Sequence, residues 1–187
     1  MFISCFGSGS GQPGELVYDA MLSVGRLLAQ RRHTVVTGGF GGSGMQAPAQ
    51  GAKEAGGESV GHTLLGLPPN QFLTRFFDYG VMFRSPELQF GTRLGRMLES
   101  DGFIIGAGGG PGTAVEFFSI VNMAYKGFSN NPQKRCAILW PSGANVPGWD
   151  NAMLEQLTKW GLFPAEARKY IKVCTTPEEA VVWACGE

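Results

Sequence analysis

"GAGGGPGTAVEFF", Gly106 to Phe118, decides the fold. The residues before it, "DGFII", read as a short apolar strand, and the residues after the glycines, Thr113 to Tyr125, read as a helix. A strand, a glycine run and a helix start in that order build an anion site. The first-turn amides of a helix have no intrahelical acceptor, and the helix dipole favours negative charge at that end. Gly109, Gly110 and Gly112 let an anion approach the backbone without meeting a Cβ, and Thr113 follows them directly. Glu116 carries two readings. "TAVE", Thr113 to Glu116, has the spacing of a capping box, in which the glutamate only starts the helix. A carboxylate beside an anion site also fits catalysis, and spacing alone leaves both open.

The same arrangement recurs outward along the chain. "MFISCF" reads as a strand ending in "GSGSG", "HTVVTGG" as a strand running into "FGGSG", and "ESVGH" as a third. Helical apolar spacing runs from Glu15 to Arg31, and "MQAPAQGAKEAGG" reads as a helix with Pro48 in its first turn and Gly56-Gly57 at its end. Residues 64–85 lack a clean period and predict a long loop with a short strand at Gly80–Phe83. Pro86 to Ser100 is a helix with Leu94, Met97 and Leu98 on one face. After the glycine loop come a strand "RCAILW", a helix over Asn151–Trp160, a strand "YIKVC", and a helix over Pro177–Ala184 opened by Thr176. Strands alternating with helices predict a Rossmann-like α/β fold: an open parallel sheet covered by helices on both faces, in one domain over residues 1–187. The ligand crevice of such a sheet lies at the carboxyl ends of its strands, where the glycines gather.

Composition removes several classes. Apolar residues make up 43% and charged residues 16%, which fits a folded core and argues against disorder. The formal net charge is zero, so bulk electrostatics draws the chain neither to nucleic acid nor to an anionic membrane. No apolar run approaches the ~20 residues of a membrane span, and "MFISCFGSGSG" lacks a signal-peptide pattern, so a cytoplasmic location is expected. Cys5, Cys136, Cys174 and Cys185 form no CxxC pair, and the histidines number two, so neither a metal site nor a disulfide framework is expected. "GSGSGQ" puts Gln12 where a dinucleotide fingerprint needs its third glycine, no P-loop occurs, and Ser43 in "GGSGM" lacks a nucleophile-elbow pattern. No cofactor is expected. Arg93 and Arg96 share a flank of the helix before the strand; for Arg96 a solvated helix surface suffices.

Gly109 to Glu116 resembles the GGxGTxxE part of the PGGxGTxxE motif of the Lonely Guy family, which is often labelled lysine decarboxylase. Arg93 and Met97 stand where that family places an arginine and an apolar residue one helix upstream. "VTGGFGGSGMQA" is similar to its glycine-rich segment, "GAKEAGGESVG" to the helix and strand after it, and "LPPNQFLTRF" to the insert of its longer members. Together these cover roughly residues 1–140. The chain departs from the pattern at Gly108, in place of proline, and at Phe40, Gln46, Leu94 and Thr74. The resemblance implies hydrolysis of the N-glycosidic bond of a nucleoside 5′-monophosphate. It implies catalytic Glu116 and Arg93, and a phosphate or nucleotide site at Gly38, Gly39, Gly109, Gly110, Gly112, Thr113 and Met97. It also implies a homodimer. Decarboxylation is a poor fit, because no lysine stands at a glycine-rich strand end to carry a Schiff base. "VVTGGFGG" and "GAKEAGG" resemble the molybdenum-cofactor carrier branch as well, which implies a binding protein without turnover.

Overall fold

A computed structural model describes residues 1–64, 66–127, 134–145 and 149–187. Among these residues seven strands pair in parallel: β1 (Phe2–Phe6), β2 (Thr34–Thr37), β3 (Ser59–Thr63), β4 (Arg75–Asp78), β5 (Gly102–Gly106), β6 (Cys136–Leu139) and β7 (Ile171–Cys174). Their order across the sheet is β4-β3-β2-β1-β5-β6-β7. The register sets Ile3 beside Val35 on one side and Gly102 on the other. The central strands are short apolar runs because both of their faces are buried. Ile3, Cys5, Ile104, Ala137 and Leu139 join one core, under α1 (Leu16–Gln30), α2 (Gln46–Glu54) and α7 (Pro177–Cys185). Phe6, Phe103, Ile105, Cys136 and Ile138 join a second core on the opposite face. The helices there are α4 (Pro86–Leu98), α5 (Pro111–Lys126) and α6 (Trp149–Lys159). Alternation along each strand thus feeds two helical layers. This is the Rossmann-like fold expected from the sequence.

Two helices of the first layer touch backbone to backbone. A Cβ on Gly25 of α1 would lie 2.8 Å from the Pro48 carbonyl carbon, and one on Gly51 of α2 would lie 2.9 Å from that of Leu22. The glycines permit this approach, which brings the segment ahead of α2 against the end of β1.

The expected loop and strand over 64–85 need correction. The strand is β4, at Arg75–Asp78, and Gly80–Phe83 lies mostly in a one-turn helix, α3 (Tyr79–Met82). Asp78 ends the strand by accepting the Gly80 amide at 2.8 Å. Val81 and Met82 are 81% and 65% exposed, so the apolar run taken for a strand is not in the sheet at all. β4 is an edge strand with both phenylalanines half exposed, so it lacks the alternation that marks a buried strand. Among the described residues no helix is long and apolar enough to cross a membrane.

Candidate functional site

From β1 the chain builds the sheet in one direction as far as β4, and from β5 it builds in the other direction to β7. β1 and β5 are therefore the neighbours at which the order reverses, and their carboxyl ends part to form a crevice. A cavity of about 280 Å³ opens there. β1 and its loop supply Phe6, Gly7 and Gly9; Met45 precedes α2; α4 supplies Arg93; α5 supplies Gly110 to Thr113 and Glu116. Of the residues singled out in the sequence, Arg93, Gly110, Gly112, Thr113 and Glu116 meet in this cavity. Gly38, Gly39, Gly109 and Met97 lie outside its lining. Met97 is fully buried in the second core.

α5 begins earlier than the sequence suggested. Gly110 is its N-cap and Pro111 its first helical residue, where a missing N–H costs nothing. Thr113 is consequently the third helical residue rather than the cap. Its hydroxyl donates to the Gly7 carbonyl at 3.1 Å, which ties the start of α5 to the β1 loop. The capping-box reading of Thr113 and Glu116 therefore fails. Glu116 stands in the second turn with its side chain turned to the cavity, and the first turn carries no acidic residue. The amides of Gly112 and Thr113, in the first turn, have no intrahelical acceptor and belong to residues lining the same cavity. Gly108 has φ +80, which a proline at the motif's position could not adopt.

Arg93 is buried, 8% exposed, and held by backbone. Its Nε donates to the His62 carbonyl at 2.7 Å and its Nη2 to the Gly38 carbonyl at 3.2 Å. A Cβ on Gly38 would land on that guanidinium, so Gly38 forms the seat of the arginine. The Phe40 ring lies 5.6 Å from the guanidinium carbon, in cation–π range. Two carbonyls thus fix the fork of an arginine that lines the same cavity as Glu116. Arg96 is exposed and paired with Glu99 at 3.0 Å, as a solvated helix surface requires.

Burial pushes the Glu116 carboxyl up to about 7, against the opposing pull of the Arg93 cation. Burial likewise lowers the Arg93 value, with Glu116 acting to raise it. Glu116 therefore exchanges its proton near neutrality, in a cavity that Arg93 and the first-turn residues of α5 also line. His62 lies under this site with its Nδ1 2.8 Å from the Tyr79 hydroxyl, stacked on the Phe77 and Tyr79 rings. Burial, aided by Arg93, lowers His62 to about 4, so its ring is neutral wherever Glu116 titrates.

The departures from the Lonely Guy pattern have structural partners. Gln46 donates to the Tyr18 hydroxyl at 3.1 Å. Thr74 donates to the Ser59 carbonyl at 2.6 Å and accepts the Ser59 amide at 3.0 Å, fixing β4 on β3. Asn70 pins the insert to the glycine segment, its amide and side chain donating to the carbonyls of Gly39 and Phe40 at 2.8 and 2.9 Å. Sequence reading missed Met45, Gly7 and Gly9 as cavity lining. It also missed the carbonyls that hold Arg93, because a backbone acceptor has no residue signature. Across the β1 loop a second cavity of about 450 Å³ opens, lined by Ser8, Ser10 and Ser43 together with Leu16, Val17 and Asn145.

A parallel sheet with a crevice at its order reversal, lined by helix-start residues, a buried arginine and a carboxyl raised to about 7, defines a Rossmann-like protein. Residues 1–126 match the SLOG cluster4 family, and the chain belongs to it, within the wider superfamily that includes the Lonely Guy proteins. An uncharacterised protein of Archaeoglobus fulgidus is 32% identical over 113 residues, 58% of this chain and 66% of its own. The match thus spans just under two thirds of that relative. Among solved structures, TM1055 is 25% identical and superposes with a TM-score of 0.70 over 96% of this chain and 95% of its own. The molybdenum cofactor binding protein of Rippkaea orientalis is 20% identical, with a TM-score of 0.64 over 96% and 92%. It shares the fold.

Proposed function

We propose that the protein hydrolyses the N-glycosidic bond of a nucleoside 5′-monophosphate, of the AMP or cytokinin-riboside type, to free base and ribose 5-phosphate. The observation that carries this reading is the Glu116 carboxyl, raised to about 7 and lining one cavity with the first-turn residues of its own helix and with Arg93 of α4. The 5′-phosphate would rest on the amides of Gly112 and Thr113, with Arg93 on phosphate or ribose oxygens. As the C1′–N bond breaks, its electrons go to the base and positive charge grows on the ribose. The Glu116 carboxylate stabilises that charge and takes a proton from the attacking water, whose oxygen bonds to C1′, while the departing base takes a proton from solvent. A base with a pKa near the working pH is the efficient one. The test is a panel of nucleoside monophosphates incubated with the protein and chromatographed for free base. No release from any of them overturns the reading.

A carrier without turnover is the second reading, and the 450 Å³ cavity beside the 280 Å³ one favours it, since a pterin nucleotide needs more room than a simple monophosphate. A ligand recovered intact after purification and long incubation would decide for the carrier. In either reading we expect a homodimer through the outer faces of α4 and α5.

A further inference from the structure

The strands' amino ends, opposite the crevice, carry a cluster that the proposed function does not use. His33 immediately precedes β2, its amide closing α1 on the Leu28 carbonyl at 2.9 Å. α7 ends at Gly186 in the left-handed region, with φ +77, and the Glu187 amide turns back to the Val182 carbonyl at 3.1 Å. That turn brings Glu187 and Cys185 to His33. A ring nitrogen of His33, the Cys185 sulfur and a Glu187 carboxylate oxygen all lie within 4.8 Å of one another. The His33 Nε2 is buried and has no hydrogen-bond partner. A buried polar atom without a partner needs an explanation, and a bound cation supplies one.

We propose that His33, Cys185 and Glu187 form a site for a borderline-soft divalent ion of the Zn²⁺ kind, clamping the end of α7 to the start of β2. Nitrogen, sulfur and oxygen donors in one cluster are the zinc set, with bonds of about 2.0–2.3 Å. Ligands around such a tetrahedral ion sit somewhat closer than 4.8 Å, so the cluster needs only side-chain closure. Binding releases the Cys185 thiol proton to solvent and forms the metal–thiolate bond. Three protein ligands leave a fourth position for water. Arg31 is the competitor: its Nε lies 3.6 Å from the Glu187 carboxylate, in a partly exposed pair. Such a pair is weak, and the metal displaces it. Asp101 adds negative potential at His33, opposed by Arg31 and the chain's amino terminus.

Cobalt titration of the full chain tests this. Co²⁺ bound by Cys185 gives a thiolate-to-cobalt charge-transfer band at one equivalent, which Zn²⁺ then abolishes. Cys5, Cys136 and Cys174 are buried, so the band reports Cys185. His33→Gln should weaken binding by at least about tenfold, since losing even a group that only orients a ligand costs that much. Cys185→Ser should remove the band, and Arg31→Ala should tighten binding. Zn²⁺ should also raise the melting temperature of the wild type and not that of His33→Gln. No band in the wild type, or an unchanged affinity in a folded His33→Gln variant, overturns the site. Should Cys185→Ser fail to fold, the His33→Gln and Arg31→Ala affinities decide.

Discussion

At Glu116, burial and function pull against each other, and the conflict is measurable. The folded chain holds the carboxyl's proton up to about 7, whereas the ordinary value is 4.5. Between those values the folded state binds more protons than the unfolded one, so stability falls as pH rises, and the loss is complete above 7. Glu116→Gln should therefore be more stable than wild type at pH 8, by up to about 3 kcal/mol, and about equally stable at pH 4. The same substitution should abolish base release while leaving inorganic phosphate binding largely intact, because the phosphate rests on amides. In the wild type, kcat/KM should rise with pH through about 7, since the ionised carboxylate is the working form. An unchanged hydrolysis rate in Glu116→Gln would strip the residue of its role. Arg93 and Arg96 make the paired comparison. Arg93→Ala leaves two carbonyls and a buried carboxyl without their cation and should cost about 2–4 kcal/mol in a urea titration, together with most of the activity. Arg96→Ala removes an exposed pair and should cost less than about 1 kcal/mol with little change in rate.

Between elements, what counts is how close backbones come. The Cβ that Gly51→Ala adds would meet the Leu22 and Arg26 backbone of α1, which no rotamer change relieves. We expect a loss of about 3 kcal/mol or more, read as a lower denaturation midpoint. Gly56→Ala sits in open space and makes the control, carrying only the cost of its φ of +73. Contacts of this kind also explain what the sequence disclosed. Order along the chain and the glycine run before α5 were enough to predict the sheet, because helical period and buried apolar strands are local signals. The meeting of Arg93 with Glu116 came through motif resemblance, since nothing in either helix alone points across the sheet. β4 stayed hidden because Phe76 and Phe77 are exposed on an edge, and a strand without a buried face leaves no period. The start of α5 was misplaced for a different reason: Thr113 and Glu116 have capping spacing, but Pro111 begins the helix earlier and turns Thr113 toward Gly7.

In the molecule as a whole, α4 and α5 present an outer side as well as the inner side that faces the sheet. The inner side is accounted for: Phe117, Ile120 and Val121 pack with Leu154 of α6 and with Phe163 and Ala167. C-terminal elements of the same chain thus cover part of α5. They leave Val115 and Tyr125 more than 40% exposed; on α4 Leu88 and Phe90 are 57% and 44% exposed. Gly91 and Gly95 on α4 have nothing within 4 Å of where a Cβ would stand, which allows another helix to approach its backbone closely. Exposed apolar residues gathered on two neighbouring helices mark an association surface more than scattered ones do. A twofold axis beside α4 and α5 would set each pair on its copy and form an isologous four-helix contact. Such a contact must bury roughly 800 Å² on each side to persist. Light scattering at low micromolar concentration should give twice the 20.0 kDa of one chain. Leu88→Glu, which places a charge on that surface at a residue lining neither cavity, should return the mass to 20.0 kDa with the melting profile still cooperative. A wild-type mass of one chain would overturn the dimer, and a Leu88→Glu variant that stays dimeric would remove this part of α4 from the interface.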